Sequence, residues 1–119
     1  MNTDAGCIFC RIVRGELPCK KAYEDEHILA FHDIHPVAPM HILVIPKIHV
    51  ASLLDCDETH ADVLGRLLGA IGRIAKEHGA SDGFRTIINT GRLGGQEVYH
   101  LHAHILAAPE RLPRMLSRE

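Results

Sequence analysis

The sequence predicts an α+β fold, a mainly antiparallel five-stranded sheet with one long and one short helix. Three observations carry that expectation. A single long segment has the apolar spacing of an amphipathic helix. Five shorter segments read as strands, most of them joined by connections of hairpin length. A chain of 119 residues can bury one core but not two. Helices and strands are therefore assigned to one domain, 1–119, with its core at about 7–106 and a tail at 107–119.

In chain order, residues 7–13 (Cys-Ile-Phe-Cys-Arg-Ile-Val) form a short apolar stretch of one or two helical turns, stopped at Gly15 with Pro18 soon after. Residues 22–24 and 27–33 read as two strands around a tight turn at Asp25-Glu26. The next segment, 34–39, holds Pro36 and Pro39, which lack amide donors, so it is an ordered loop rather than a central strand. Residues 41–45 (His-Ile-Leu-Val-Ile) read as a buried central strand ended by Pro46.

The long helix follows. Leu64, Leu67, Leu68, Ile71, Ile74 and Ala75 repeat on one face, Asp55 or Asp57 can cap its start, and Gly79 sits where a left-handed residue ends a helix. Inside it, Gly65, Gly69 and Gly72 each cost roughly 1 kcal/mol relative to Ala. Close packing against a sheet or a partner helix would account for them; tolerated surface glycines are the alternative. Residues 84–89 form a strand, 90–95 a glycine-rich loop and 98–106 the last strand.

Composition narrows the function classes. With 46% hydrophobic and 24% charged residues the chain has ordinary globular usage. A formal charge of −2 supplies no basic field for long nucleic acid, although a small anionic ligand needs only a local site. No apolar run is long enough for a membrane span, and Met1-Asn2-Thr3-Asp4 does not begin a signal peptide; the expected compartment is the cytoplasm. There, Cys7-x-x-Cys10 reads as a metal site or a redox pair. Cys19 and Cys56 have no evident role. The outlying count is ten His.

Three of them, His100, His102 and His104, alternate with Leu101, Ala103 and Ile105, which in a strand places the imidazoles on one face. Three imidazoles in register are costly to bury and give no packing advantage. Two chemistries fit the row: chelation of a catalytic metal, or attack by one imidazole that its neighbours orient and supply with protons. The preceding Gly91-Arg92-Leu93-Gly94-Gly95-Gln96 offers unobstructed backbone amides for an anion and favours the second.

From Gly94 to Leu106 the chain resembles the histidine triad (HIT) signature, His-φ-His-φ-His-φ-φ, in its Hint branch, the histidine triad nucleotide-binding proteins. The resemblance extends back through Phe31-His32-Asp33-Ile34 and Ala38-Pro39-Met40-His41-Ile42-Leu43-Val44-Ile45-Pro46-Lys47, and covers roughly residues 7–106. It implies a HIT fold and a homodimer. The implied activity is hydrolysis of purine nucleoside phosphoramidates or related nucleotidyl compounds through a nucleotidyl-histidine intermediate, with no metal required for catalysis. His102 would be the nucleophile, with His104 and His41 at the phosphate. Asp33 would take the ribose hydroxyls, and Ile34, Phe9 and Ile12 would line the base pocket. Asn89, Gly95 and the backbone around Glu97 and Val98 would hold phosphate oxygens.

Some members bind structural zinc. Here the matching ligands are Cys7, Cys10, His49 and His100, which would make His100 a ligand rather than a catalytic group. Two features depart from the pattern. Glu97 stands where animal Hint proteins usually carry a serine, and an ionised carboxylate cannot donate a hydrogen bond. Ala107-Ala108-Pro109-Glu110-Arg111 replaces a glycine-rich exit. Two rival readings accompany this one: a nucleotide-binding regulatory module with incidental turnover, and a zinc-dependent hydrolase using all three His.

Overall fold

The computed structural model describes residues 6–115; Met1-Asn2-Thr3-Asp4 and the end of the tail lie outside them. Helix α1 (Ile8–Val13) starts on Cys7, whose Sγ accepts the Cys10 amide at 3.3 Å. It stops before Gly15, whose φ of 80° suits a residue without Cβ. Strands β1 (Lys21–Glu24) and β2 (Ile28–His32) form the expected hairpin. One oxygen of Asp25 accepts the amides of His27 and Ile28, both at 2.8 Å, which closes the turn.

Strand β3 (Met40–Pro46) pairs with β2 along its length. After two short 3₁₀ turns comes helix α2 (Ala61–Glu77), then β4 (Arg85–Ile87) and β5 (Ala103–Ala107). The sheet order is β1-β2-β3-β5-β4, with every neighbouring pair antiparallel. The predicted α+β class and five-stranded sheet are what the chain forms.

The middle of the sheet is covered on both sides. Ile28, Ala30, Ile42, Val44, Ala103 and Ile105 pack against Leu67, Ala70, Ile71, Ile74 and Ala75 of α2. The alternate residues Leu29, Phe31, Leu43 and Ile45 pack on the opposite side with Phe9 of α1, as period-two alternation requires. This explains why β2 and β3 are apolar throughout although the sheet is antiparallel.

Several expectations need correction. Leu67, Ile71, Ile74 and Ala75 of the expected stripe are buried and Ala70 joins them, but Leu64 is only half-buried and Leu68 is 55% exposed. Gly65, Gly69 and Gly72 have open space where a Cβ would stand, so no packing within the chain demands them. Of the two candidate caps, Asp57 is used, on the 3₁₀ turn that leads into α2.

Strand β4 covers only 85–87 of the expected 84–89, because its pairing with β5 ends at Ile87↔His104. The last strand begins at Ala103, not at 98. The ladder to β3 ends at Val44↔Ala103, two residues before Pro46, which has no amide to offer. The segment before it is anchored instead by the Leu101 amide on the Val50 carbonyl at 2.8 Å.

Truncating Leu67, 1% exposed, to Ala should lower stability by about 2–5 kcal/mol. Removing the exposed i,i+4 partner of Arg66 through Asp62→Ala should cost less than about 0.5 kcal/mol. Urea unfolding of the two variants checks the contrast; equal losses would contradict this core.

Candidate active site

Strand alternation places His41 of β3 and His104 of β5 on the sheet face opposite α2. A cleft of about 620 Å³ opens on that face, a size suited to small molecules. α1 contributes Phe9 and Ile12, the end of β2 leads to Asp33 and Ile34, and the segment after β4 supplies Asn89, Gly95, Glu97 and Val98. His41, His102 and His104 also line it. Ile34, 84% exposed, forms its rim. His100 is not among the lining residues; its ring is completely buried.

The imidazoles are ordered by their hydrogen bonds. His102 Nδ1 lies 2.8 Å from the His100 carbonyl oxygen. A carbonyl only accepts, so Nδ1 carries the hydrogen and Nε2 keeps the lone pair in the neutral ring. The Phe9 ring stands edge-on to His102, with centroids 5.3 Å apart.

A second chain starts in the proline-containing loop. The Val37 amide donates to His41 Nδ1 at 3.1 Å, which leaves the hydrogen of His41 on Nε2. That hydrogen is donated to His104 Nδ1 at 2.8 Å, so the hydrogen of neutral His104 resides on Nε2. Burial, partly opposed by the Asp33 carboxylate, holds His41 below the usual imidazole range. Burial chiefly, then the His102 and His41 charges, pushes His104 down to about 4. Both are therefore neutral donors near pH 7.

Asp33 serves two ends at once. One oxygen accepts the His35 amide at 2.8 Å, a local turn cap; the other lies 3.4 Å from His41 Nε2. Asp33, His41 and His104 bring potential ligand atoms within 4.8 Å of one another. The Val37 amide nevertheless keeps the ring hydrogen of His41 on the nitrogen a metal would need.

The glycine-rich loop is built for close approach. A Cβ on Gly94 would lie 2.3 Å from the Thr90 carbonyl oxygen, and Gly95 has φ 83°. Gln96, a residue the sequence reading left without a role, is 6% exposed and ties the segment down. Its side chain accepts the Gly91 amide at 2.9 Å and donates to the carbonyls of Ala51 and Val98. The only signal in the sequence was a polar residue between a flexible loop and the histidine row.

Behind the cleft, Cys7, Cys10, His49 and His100 converge. The Cys–His and His–His ligand-atom separations are 3.3–3.5 Å. A tetrahedral zinc with ordinary bond lengths would set S···N at about 3.5 Å and N···N at about 3.3 Å. His100 Nε2 donates to the Pro46 carbonyl at 2.8 Å, which aims its Nδ1 at the cysteines, the usual outer support of a ligating His. This donor set fits a closed zinc site.

An antiparallel sheet thus carries linked imidazoles along a largely apolar cleft. The HIT domain profile matches residues 14–111. Over 100 residues the chain is 47% identical to the purine nucleoside phosphoramidase of Escherichia coli strain K12, covering 83% of this chain and 84% of that one. It is 46% identical over 105 residues to a 14 kDa zinc-binding protein of Zea mays, covering 87% and 82%. The crystal structure of a HIT family hydrolase from Legionella pneumophila superposes with a TM-score of 0.87 at 40% identity, covering 91% and 96%. The chain belongs to the HIT family. It is an enzyme, a hydrolase of that family.

Because His104 sits near 4 in the native state and near 6.5 when exposed, the unfolded chain binds more protons between those values. Stability should therefore rise with pH across that window and fall as acid is added. Urea midpoints measured from pH 4 to 7 should show a shallower slope for His104→Gln than for the wild type. An identical slope would contradict the assignment.

Proposed function

We propose that this enzyme hydrolyses purine nucleoside phosphoramidates or closely related nucleotidyl compounds through a nucleotidyl intermediate on His102. The observation that carries the reading is the 2.8 Å bond from His102 Nδ1 to the His100 carbonyl, within a cleft of nucleotide size. It fixes the tautomer in which Nε2 is the nucleophile.

In the first step Nε2 forms a bond to phosphorus, the P–N bond breaks, and the amine departs with one added proton drawn from solvent water. The His102 ring gains positive charge, which its Nδ1–H shares with the His100 carbonyl. In the second step water attacks phosphorus, the His102–P bond breaks, and the water proton restores the one taken up by the amine. His104 presents Nε2–H to a phosphate oxygen or to the departing nitrogen, and His41 fixes that orientation. The amides around Glu97 and Val98, with Asn89, take developing charge on the phosphate oxygens, and Gly95, whose own amide is bonded to the Arg92 carbonyl, lets the phosphate approach the backbone. Asp33 takes the ribose hydroxyls, and Phe9, Ile12 and Ile34 enclose the base.

We assign Cys7, Cys10, His49 and His100 to a structural zinc, supported by the donor spacing and by the similarity to a zinc-binding protein. Bound there, zinc would cross-link α1 to the histidine segment, and no catalytic step needs it. A zinc-hydrolase reading is disfavoured because His100 faces the cysteines and His41 is held as a donor. A purely regulatory module would not need the free Nε2. A homodimer is assigned to the outward stripe of α2 that carries Gly65, Leu68, Gly69 and Gly72, where small residues allow close approach of a second copy.

Two measurements test this. Turnover of adenosine 5′-phosphoramidate should fall by about 10⁴ or more in His102→Ala and should persist in the wild type after addition of a strong chelator. Activity surviving in the variant would sink the nucleophile assignment; activity lost to the chelator and regained on adding zinc, while the zinc-free protein stays folded and still binds AMP, would favour the metal hydrolase. Separately, the purified protein should hold close to one zinc per chain, and Cys10→Ser should lose most of it. Zinc content unchanged in that variant would remove the Cys₂His₂ site.

A further inference from the structure

The charge of the cleft is one-sided. Among the described residues lining it there is no Lys and no Arg. Its two acidic side chains are Asp33 and Glu97. Burial holds His41 and His104 towards neutrality, so they add little fixed positive charge. A substrate with a single phosphorus can be met by amides and neutral imidazoles, whereas an extended anionic leaving group would find no cation.

The two carboxylates occupy different places. Sheet order β2-β3-β5-β4 puts Asp33, after β2, on one side of the His41–His104 pair. Asn89, after β4, lies on the other. Glu97 belongs to this second side, because buried Gln96 ties it back to Gly91, two residues after Asn89. Asp33 is engaged with the His35 amide and His41. The Glu97 side chain is exposed and has no hydrogen-bond or ion-pair partner among the described residues.

We propose that Glu97 is a specificity-determining residue whose carboxylate selects phosphoramidates with a leaving amine that bears a second, positive charge, and turns away anionic leaving groups. This rests on the phosphoramidase reading above. With Asp33 at the ribose and the imidazoles at phosphorus, the departing amine leaves on the Glu97 side. An ammonium a few ångströms beyond the broken P–N bond meets the carboxylate there, and a carboxylate or phosphate in the same place is repelled. The chemistry at phosphorus is unchanged; only the partner of the leaving group is chosen.

The test compares three adenosine 5′-phosphoramidates of similar size, made from 1,3-diaminopropane, butylamine and 3-aminopropanoate, at low ionic strength. Values of kcat/KM are referred to the butylamine compound, so that each enzyme carries its own neutral standard. An exposed charge pair is worth about threefold each way, so the wild type should favour the cationic over the anionic compound by about tenfold. Glu97→Gln should bring that ratio close to one, and Glu97→Lys should invert it. Salt supplies a readout on the unaltered protein: near 1 M, where screening acts within about 3 Å, the wild-type ratio should collapse. A ratio indifferent to both substitutions and to salt overturns the proposal. Turnover of none of the three compounds overturns the phosphoramidase reading and this inference with it, whereas equal turnover of all three overturns this inference alone.

Discussion

A fully buried imidazole must have both nitrogens and its neighbouring backbone satisfied, or it costs more than its burial returns. His100 meets that demand in three directions. Nε2 donates to the Pro46 carbonyl at the end of β3, Nδ1 faces Cys7 and Cys10, and its own carbonyl accepts from His102. The central strand, the N-terminal helix and the His102 ring are thus referenced to one residue. Burial pushes His100 down to about 4, the Pro46 bond opposing, so the ring stays neutral and its lone pair is available at the cysteine side.

Around that residue the fold separates two tasks. The buried residues of the face towards α2 are aliphatic, with Tyr23 packed against them. The opposite face holds the cleft, with His41 and His104 brought side by side from adjacent strands at a ring separation of 5.1 Å. Because each strand alternates, the residues that build the core and those that line the cleft differ by a single step along the chain. A one-residue slip of β3 against β5 would send His41 into the core. The many aliphatic partners of Ile42 and Val44 on α2 prevent it.

Much of this was legible in the sequence, for physical reasons that can be named. Hairpin spacing around Asp25, proline in the 34–39 loop and the long amphipathic run each have a local cause, and each element formed where that cause acts. Errors arose where a tertiary partner decided the outcome. Residues 98–102 carry strand alternation but lack a partner, since the ladder on β3 ends before Pro46. Leu68 keeps the helical period but lies at the exposed edge of the stripe. Within the site, residue identities could be read from the motif, yet the tautomers could not. The group that orients His41 is the Val37 amide, a backbone donor that any non-proline residue would supply. Gln96 was visible but silent, because its value lies in two carbonyls and an amide brought near by folding.

Helix α1 has only six residues, far below the length at which a helix holds itself together in water. It nevertheless supplies Phe9, which touches the rings of Phe31, His100 and His102. Its order is borrowed from the cysteine–histidine cluster at its start and from the second hydrophobic face. In terms of local unfolding, α1, the cluster and the floor of the cleft form one cooperative unit. The sheet and α2, sharing their own core, form another. Opening the first unit would dismantle the cleft while most backbone amides of the sheet remained protected from exchange. The molecule can therefore be folded by most global measures and still have no site.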